Sequence, residues 1–251
     1  MKQELPALKA EKPFMNAAGS LGFAPDFRGP VDLEALGAFV TNPISQESRS
    51  PAGGQRCVPF PGGFLLHTGY PNPGFRKAVQ QYAPFWRRSP VPVIVHILVK
   101  TAEQTGQMVR RLEGLEGVMG VEVGLPPGCT AGFAREIAAA AVGELPVAVR
   151  LPFENAAEIA LALIGLDLAA ISFSAPRGTL RANGLVTGRL YGPAVFPMAL
   201  KLVQELCQTS LPVIGSGGVY TLEQAGEMLG AGAIAVQLEA VFWKTGVGLR
   251  G

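Results

Sequence analysis

The sequence is poor in the side chains that metal and thiolate chemistry use. Of 251 residues only two are histidine and three are cysteine. Cys57, Cys129 and Cys207 stand far apart with no CxxC pair. That pattern offers no zinc spacing and suits a reducing compartment, so no metal site is expected. Apolar runs stop short of the ~18 residues that a membrane span needs, and the opening Met1-Lys-Gln-Glu-Leu-Pro6 lacks the apolar core of a secretory signal. A cytoplasmic protein with no membrane association is expected. A formal net charge of +2 gives no electrostatic reason to invoke nucleic acid. No linker, low-complexity tract or shift of composition divides the chain, so one domain over residues 1–251 is expected.

Apolar residues are plentiful. They make up 48% of the chain, with a mean hydropathy of +0.28. Parallel strands covered on both faces explain this, because they read as continuous apolar runs. Eight such runs occur: Phe14–Ala18, Ala38–Asn42, Val93–Leu98, Gly120–Leu125, Val147–Leu151, Ala169–Phe173, Val213–Gly215 and Ala233–Gln237. Helical patterns lie between most of them, at Thr101–Gly114, Thr130–Val142, Glu154–Ile164, Pro193–Gln208 and Thr221–Leu229, several opening on Thr, Pro or an acid. Alternation of this kind predicts an α/β fold with a parallel sheet. Eight repeats in roughly 250 residues predict a (β/α)8 TIM barrel. The segment from Pro43 to Tyr70 is rich in Pro and Gly and long enough to be functional. Only Phe242 and Trp243 follow the last strand before the end nears, so the final helix is expected to be truncated. The wall left bare predicts a homodimer.

The most informative stretch is Pro212-Val-Ile-Gly-Ser-Gly-Gly218. A buried run there ends in glycines just before a helix. Glycine amides at the end of a strand can approach an anion that a Cβ would hold off. In barrels of this kind phosphate sites lie on the loops after the last two strands. Glu239, however, stands just after the final strand, and a carboxylate within ~5 Å of a phosphate costs a kcal/mol or more at an effective dielectric of about 20. Glu239 is expected to point away or to pair with Arg250.

Six motifs in order resemble the dihydroorotate dehydrogenase family of FMN-containing barrels. They are Phe14-Met-Asn-Ala-Ala-Gly-Ser-Leu-Gly22, Leu36-Gly-Ala-Phe-Val-Thr41, Asn72-Pro-Gly74, Pro90-Val-Pro-Val-Ile-Val95, Tyr191-Gly-Pro-Ala194 and Gly215-Ser-Gly-Gly218. The resemblance implies FMN held by Ala18, Gly19, Ser20, Asn42, His96, Arg150, Gly192, Gly217 and Gly218. Asn42 and Arg150 stand where the family has flavin-contacting lysines.

The same resemblance exposes losses. The family's catalytic base corresponds to Pro127, which cannot take a proton, and Cys129 two residues on is the remaining candidate base. The asparagines that hold the substrate correspond to Leu66, Gly124, Cys129 and Ser174. The loops after the fourth and sixth strands are shortened, the second to Pro176–Leu190, which predicts a lost lid. His67, His96 and Arg177 are candidate pocket residues, Lys100 a solvated one and Asn16 a structural one. Glu122, if inward, needs a partner such as Arg150. The expected function is an FMN-dependent oxidoreductase with an altered small-molecule substrate. A non-catalytic barrel serving as a structural or regulatory partner is the alternative, and true dihydroorotate dehydrogenase activity a third.

Overall fold

The computed structural model describes residues 12–243. Thirteen strands and six α-helices follow one another in this order: β1 Phe14–Asn16, β2 Phe39–Val40, β3 Ile44–Ser45, β4 Cys57–Phe60, β5 Gly63–Leu66, α1 Phe75–Arg87, β6 Val93–Leu98, α2 Ala102–Glu113, β7 Val118–Gly124, α3 Ala131–Ala141, β8 Val147–Leu151, α4 Ala156–Leu163, β9 Ala170–Phe173, β10 Arg177–Ala182, β11 Gly184–Tyr191, α5 Phe196–Leu206, β12 Ile214–Ser216, α6 Leu222–Gly230 and β13 Ala235–Leu238. Short 3-10 turns precede α4 and α5, and another spans Ala240–Trp243. Each of the eight apolar runs overlaps a strand, the bounds differing by up to two residues.

Those eight are all parallel. β2, β6, β7, β8 and β9 form one sheet, with the short β3 paired to the far end of β6, while β1, β13 and β12 form another. Isolated bridges connect the two, Met15 with Ala38 and Ile171 with Val213. The architecture is α/β, with helices covering the parallel strands.

Two apolar clusters occupy opposite faces of these strands. The large one joins strands to helices through residues such as Val95, Val121, Val149, Ile171 and Val236. The small one gathers Met15, Val40, Ile94, Ala148, Ala170, Ile214 and Ala235, one from each of seven strands. Five of the nine buried residues in this cluster are alanine, so the side chains packed there are mostly small. Alternation along a strand then fixes what comes two residues later on that same face. Ile94 is followed by His96, Ala148 by Arg150, Ala170 by Ser172, Ile214 by Ser216 and Ala235 by Gln237. A polar layer therefore lies above the small apolar one.

Local chemistry explains the joins. Asn16 stands in for missing ladder bonds between β1 and β2: its Oδ1 accepts from Val40 N at 2.8 Å and its Nδ2 donates to Val40 O at 2.7 Å. Thr101, Thr130 and Thr221 each accept an amide hydrogen bond at the start of a helix, and Thr221 completes a capping box with Gln224.

The rim differs from expectation. Residues Pro176–Leu190 are no stripped loop. β10 and β11 form an antiparallel hairpin that pairs with β5, and β5 pairs with β4, giving a four-stranded antiparallel sheet. The shortened segment thus keeps a cover by pairing with the Pro- and Gly-rich segment some 125 residues earlier. The helix α1 also lies outside the predicted set; it begins after Gly74 and contains Pro84. Residues 244–251, including Arg250, lie outside the described residues. No described helix is long and apolar enough to cross a membrane, and no group of three metal-binding side chains occurs among the described residues.

Candidate functional site

Single polar residues interrupt five apolar strands at the same level, and the fold brings them together. Glu122 of β7 is the hub. Its Oε2 lies 2.6 Å from His96 Nδ1, and its Oε1 accepts from Ser172 Oγ at 2.8 Å and from Gln237 Nε2 at 2.7 Å. Arg150 Nη1 stands 3.9 Å from Glu122, while Arg150 Nη2 donates to Glu239 Oε1 at 2.6 Å. All six side chains are buried.

Burial by itself pushes the Glu122 carboxyl upward. The hydrogen bond from His96, the Arg150 charge and the Gln237 amide outweigh it and hold the group at about 2. Burial drives His96 the other way, below its ordinary value, against the pull of Glu122. A neutral imidazole donating Nδ1–H to an ionised Glu122 satisfies both. Arg150 is held firmly in its charged form: burial opposes the charge, but Glu239 and Glu122 prevail. Glu239 pairs with Arg150, and Glu122 has His96 as its nearest ionisable partner ahead of Arg150.

Four buried polar atoms around the Arg150–Glu239 pair have no hydrogen-bond partner: Arg150 Nη1, Glu239 Oε2, Ser216 Oγ and Gln237 Oε1. Ser216 and Gln237 are register partners on β12 and β13. Unsatisfied buried polar groups are rare in folded proteins.

Two cavities open above this layer. The first, about 140 Å³, is lined by Ala18, Gly19, Asn42, Arg189, Tyr191 and Trp243, among others. Aromatic rings crowd it. Phe64 stacks on Tyr191 at 5.5 Å, and Trp243 approaches Tyr191 edge-on at 5.3 Å. Trp243 Nε1 donates to Ser20 O, Ser20 Oγ donates to Ala17 O, and Asn42 Oδ1 accepts from Gly22 N. Burial, followed by the Glu239 charge, raises the Tyr191 phenol far above its ordinary value, so it stays protonated. The second cavity, about 310 Å³, is lined by Arg49, His67, Thr68, Gly124, Pro126, Pro127, Arg177 and Arg189, together with apolar neighbours.

Gly217 and Gly218 lie next to the start of α5, at φ 98° and 72°. A Cβ on Gly218 would lie 2.3 Å from Phe196 N, so packing demands glycine there whatever binds. Gly192 opens the 3-10 turn just before α5. Gly124 explains one lost substrate contact. A Cβ on it would meet His96 Nε2 at 2.4 Å. The imidazole fills the space that a side chain at 124 needs, and the exchanges at 96 and 124 belong together.

Cys129 lines neither cavity. Asn155 Nδ2 donates to its carbonyl, and partial burial raises its thiol above the usual value. Lys100 is exposed. Asn72 is bound up in the rim, holding the amides of Ser45 and Gly74. The legible sign of the Glu122 cluster was a lone polar residue in the middle of each strand: Val95-His-Ile97, Val121-Glu-Val123, Ile171-Ser-Phe173 and Val236-Gln-Leu238. Ser172 and Gln237 were nevertheless missed.

Comparison with known proteins agrees with the motif order. The sequence profile of the family described as dihydroorotate dehydrogenase matches residues 1–249. The chain is 32% identical to the dihydroorotate dehydrogenase B (NAD(+)) catalytic subunit of Trichlorobacter lovleyi, covering 95% of this chain and 86% of that protein. It is 33% identical to the like-named subunit of Citrifermentans bemidjiense with the same coverage. Against that of Geobacillus sp. it is 30% identical, over 94% of this chain and 82% of that one. Likeness at this level over nearly the full length leaves one conclusion about descent: the chain belongs to the dihydroorotate dehydrogenase family.

Proposed function

We propose that this chain is an FMN-dependent oxidoreductase built on a closed (β/α)8 barrel, acting on a substrate other than dihydroorotate. The family consists of FMN-dependent flavoproteins. One observation carries the reading: Arg150 and Glu239 each keep a buried polar atom without a partner, as do the register partners Ser216 and Gln237. Arg150 Nη1 and Ser216 Oγ offer donors, while Gln237 Oε1 and Glu239 Oε2 offer acceptors. A flavin ring edge, with carbonyls beside an N–H, matches such a mixed set. The Gly217–Gly218 turn suits the phosphate, since neither amide donates to another main-chain group in the loops. The residues therefore fit the group.

Bound there, FMN supplies hydride transfer, and the protein supplies position and charge. Arg150 places a permanent cation beneath the ring, though Glu239 cancels part of it. Ala18, Gly19 and Ser20 form one wall, with Asn42 and Tyr191 beside them. The cavity of about 140 Å³ is below the roughly 300 Å³ of a small-molecule site, so Trp243 has to leave Ser20 for the ring to enter. Pro127 and the raised Cys129 thiol supply no base, and Leu66 and Gly124 supply no amide. A substrate polar group left unpaired costs about 1–3 kcal/mol, so several losses together disfavour dihydroorotate. By analogy with the named relatives, NAD(+) is the proposed electron acceptor, reached through a second subunit. A homodimer in the cytoplasm is the proposed setting.

The reading is tested by the visible spectrum of the protein as isolated. A yellow protein that releases FMN on heating is expected. A colourless protein whose melting temperature does not rise with added FMN overturns it. That result favours a non-catalytic barrel, for which the Arg150–Glu239 pair and the crowded aromatic cavity already speak.

A further inference from the structure

We infer that the larger cavity receives a small molecule carrying at least two negative charges, as two carboxylates or one phosphate, and this names the substrate class of the oxidoreductase proposed above, on which it rests. Three arginines line the cavity, Arg49, Arg177 and Arg189, together with His67 and Thr68, and no carboxylate is among the lining residues. None of the three guanidinium groups makes an ion pair among the described residues. The acid nearest in the hydrogen-bond network, Glu154, is committed to the main-chain N–H of Arg177 at 2.7 Å.

The placement runs against what folding alone favours. Arg177 and Arg189 are direct cross-strand partners in the β10–β11 hairpin, and like charges at that spacing destabilise a sheet. Arg189 is half-buried, its guanidinium lies 4.4 Å over the Tyr70 ring, and its Nε is buried without a partner. Stacking of this kind orients the planar fork before any ligand arrives. Arg49 lines the same cavity, its main chain held by a bridge to Asn72.

The same cavity is floored by Gly124 and walled by Leu66, two of the positions where the resemblance expects substrate-binding asparagines. Neutral amide recognition has gone, and cationic forks stand around the space it served. Each guanidinium can take one carboxylate or phosphate through two parallel hydrogen bonds. Three forks around about 310 Å³ match a compact polycarboxylate or a phosphate ester, which share that chemistry.

Isothermal calorimetry on the purified protein, at constant ionic strength, tests this with tricarballylate, succinate, inorganic phosphate and acetate as probes. Tricarballylate or phosphate is expected to bind at least about tenfold more tightly than acetate. A preference for tricarballylate identifies a polycarboxylate, and a preference for phosphate a phosphate ester. Arg177→Gln and Arg189→Gln should each weaken that binding about tenfold or more, and Arg189→Lys should weaken it less. Arg181→Gln, an exposed position on the same hairpin, should leave it unchanged. Equal binding of acetate, no binding of any probe, or an equal loss in Arg181→Gln overturns the inference. Far-ultraviolet circular dichroism on each variant verifies folding. If Arg189→Gln misfolds, Arg177→Gln and Arg49→Gln still decide the matter. The visible spectrum of the same sample separates the two readings. Flavin without anion binding removes this inference alone, and anion binding without flavin removes the flavin reading alone.

Discussion

Two polar clusters sit side by side on the enclosed face of the parallel strands, and they are finished to different degrees. Around Glu122 both carboxylate oxygens have close partners, drawn from three other strands. Around Glu239, one short bond to Arg150 leaves an oxygen of one partner and a nitrogen of the other unsatisfied. A completed network holds a fold in one arrangement, whereas an incomplete one leaves buried polar groups without that constraint. Both lie within the same buried layer.

Removing the Glu122 carboxylate should have the largest effect. Glu122→Ala leaves His96, Ser172 and Gln237 without their acceptor and takes a charge from beside Arg150, and a buried ionic network broken on one side loses about 3–5 kcal/mol. Urea denaturation should show it, and a loss below about 1 kcal/mol would mean that the hub is not structural. Gly124→Ala comes next. It drives a methyl into His96 Nε2, and overpacking of this kind costs typically about 1–3 kcal/mol. Combining it with His96→Ala should cost less than the sum of the two single changes, and additive effects would contradict the steric account.

Glu239→Gln should behave differently from both. The loss of stability should be smaller, about 1 kcal/mol, because the amide oxygen still accepts from Arg150, while affinity for FMN rises, roughly tenfold, because the Arg150 charge beneath the ring is no longer cancelled. Equilibrium titration with FMN measures this, and unchanged affinity would place Glu239 outside the flavin site. The smallest effect is that of pH. Burial lowers His96 in the folded state, so below its ordinary value near 6.5 the unfolded chain binds the proton more readily. Stability should therefore be complete above about pH 6.5 and fall as the pH drops from 7 to 5. Glu122 adds a second loss below about pH 4.5, complete only near its depressed value of about 2. Melting curves of His96→Asn should lose the first slope and keep the second.

The alternation of strands and helices could be read from the sequence because each element carries its own period. All eight apolar runs overlap strands, and the threonine caps mark helix starts within a residue or so. The rim sheet could not be read in this way. Its strands Cys57–Phe60 and Gly63–Leu66 are short and contain proline and glycine, and Gly63–Leu66 finds its second partner in Gly184–Tyr191, a pairing no local pattern announces. Helix α1 was hidden by Pro84 and by an opening at Gly74 with no capping side chain. At the site, Arg150 and Glu122 stood out as charges within apolar strands, and their proximity followed from inward alternation. The choice of His96 over Arg150 as the closer partner of Glu122 depends on how adjacent strands are staggered, which side-chain pattern does not specify.

The antiparallel rim has a mechanical implication. Arg189 faces both hollows, Tyr191 follows two residues later on the same strand, and Leu66 pairs directly with Arg189. The two compartments thus have a common partition rather than separate walls. Any tilt of β11 that makes room for a planar ring beside Ala18 also shifts a guanidinium toward or away from the neighbouring chamber, so filling one space resets the fit of the other.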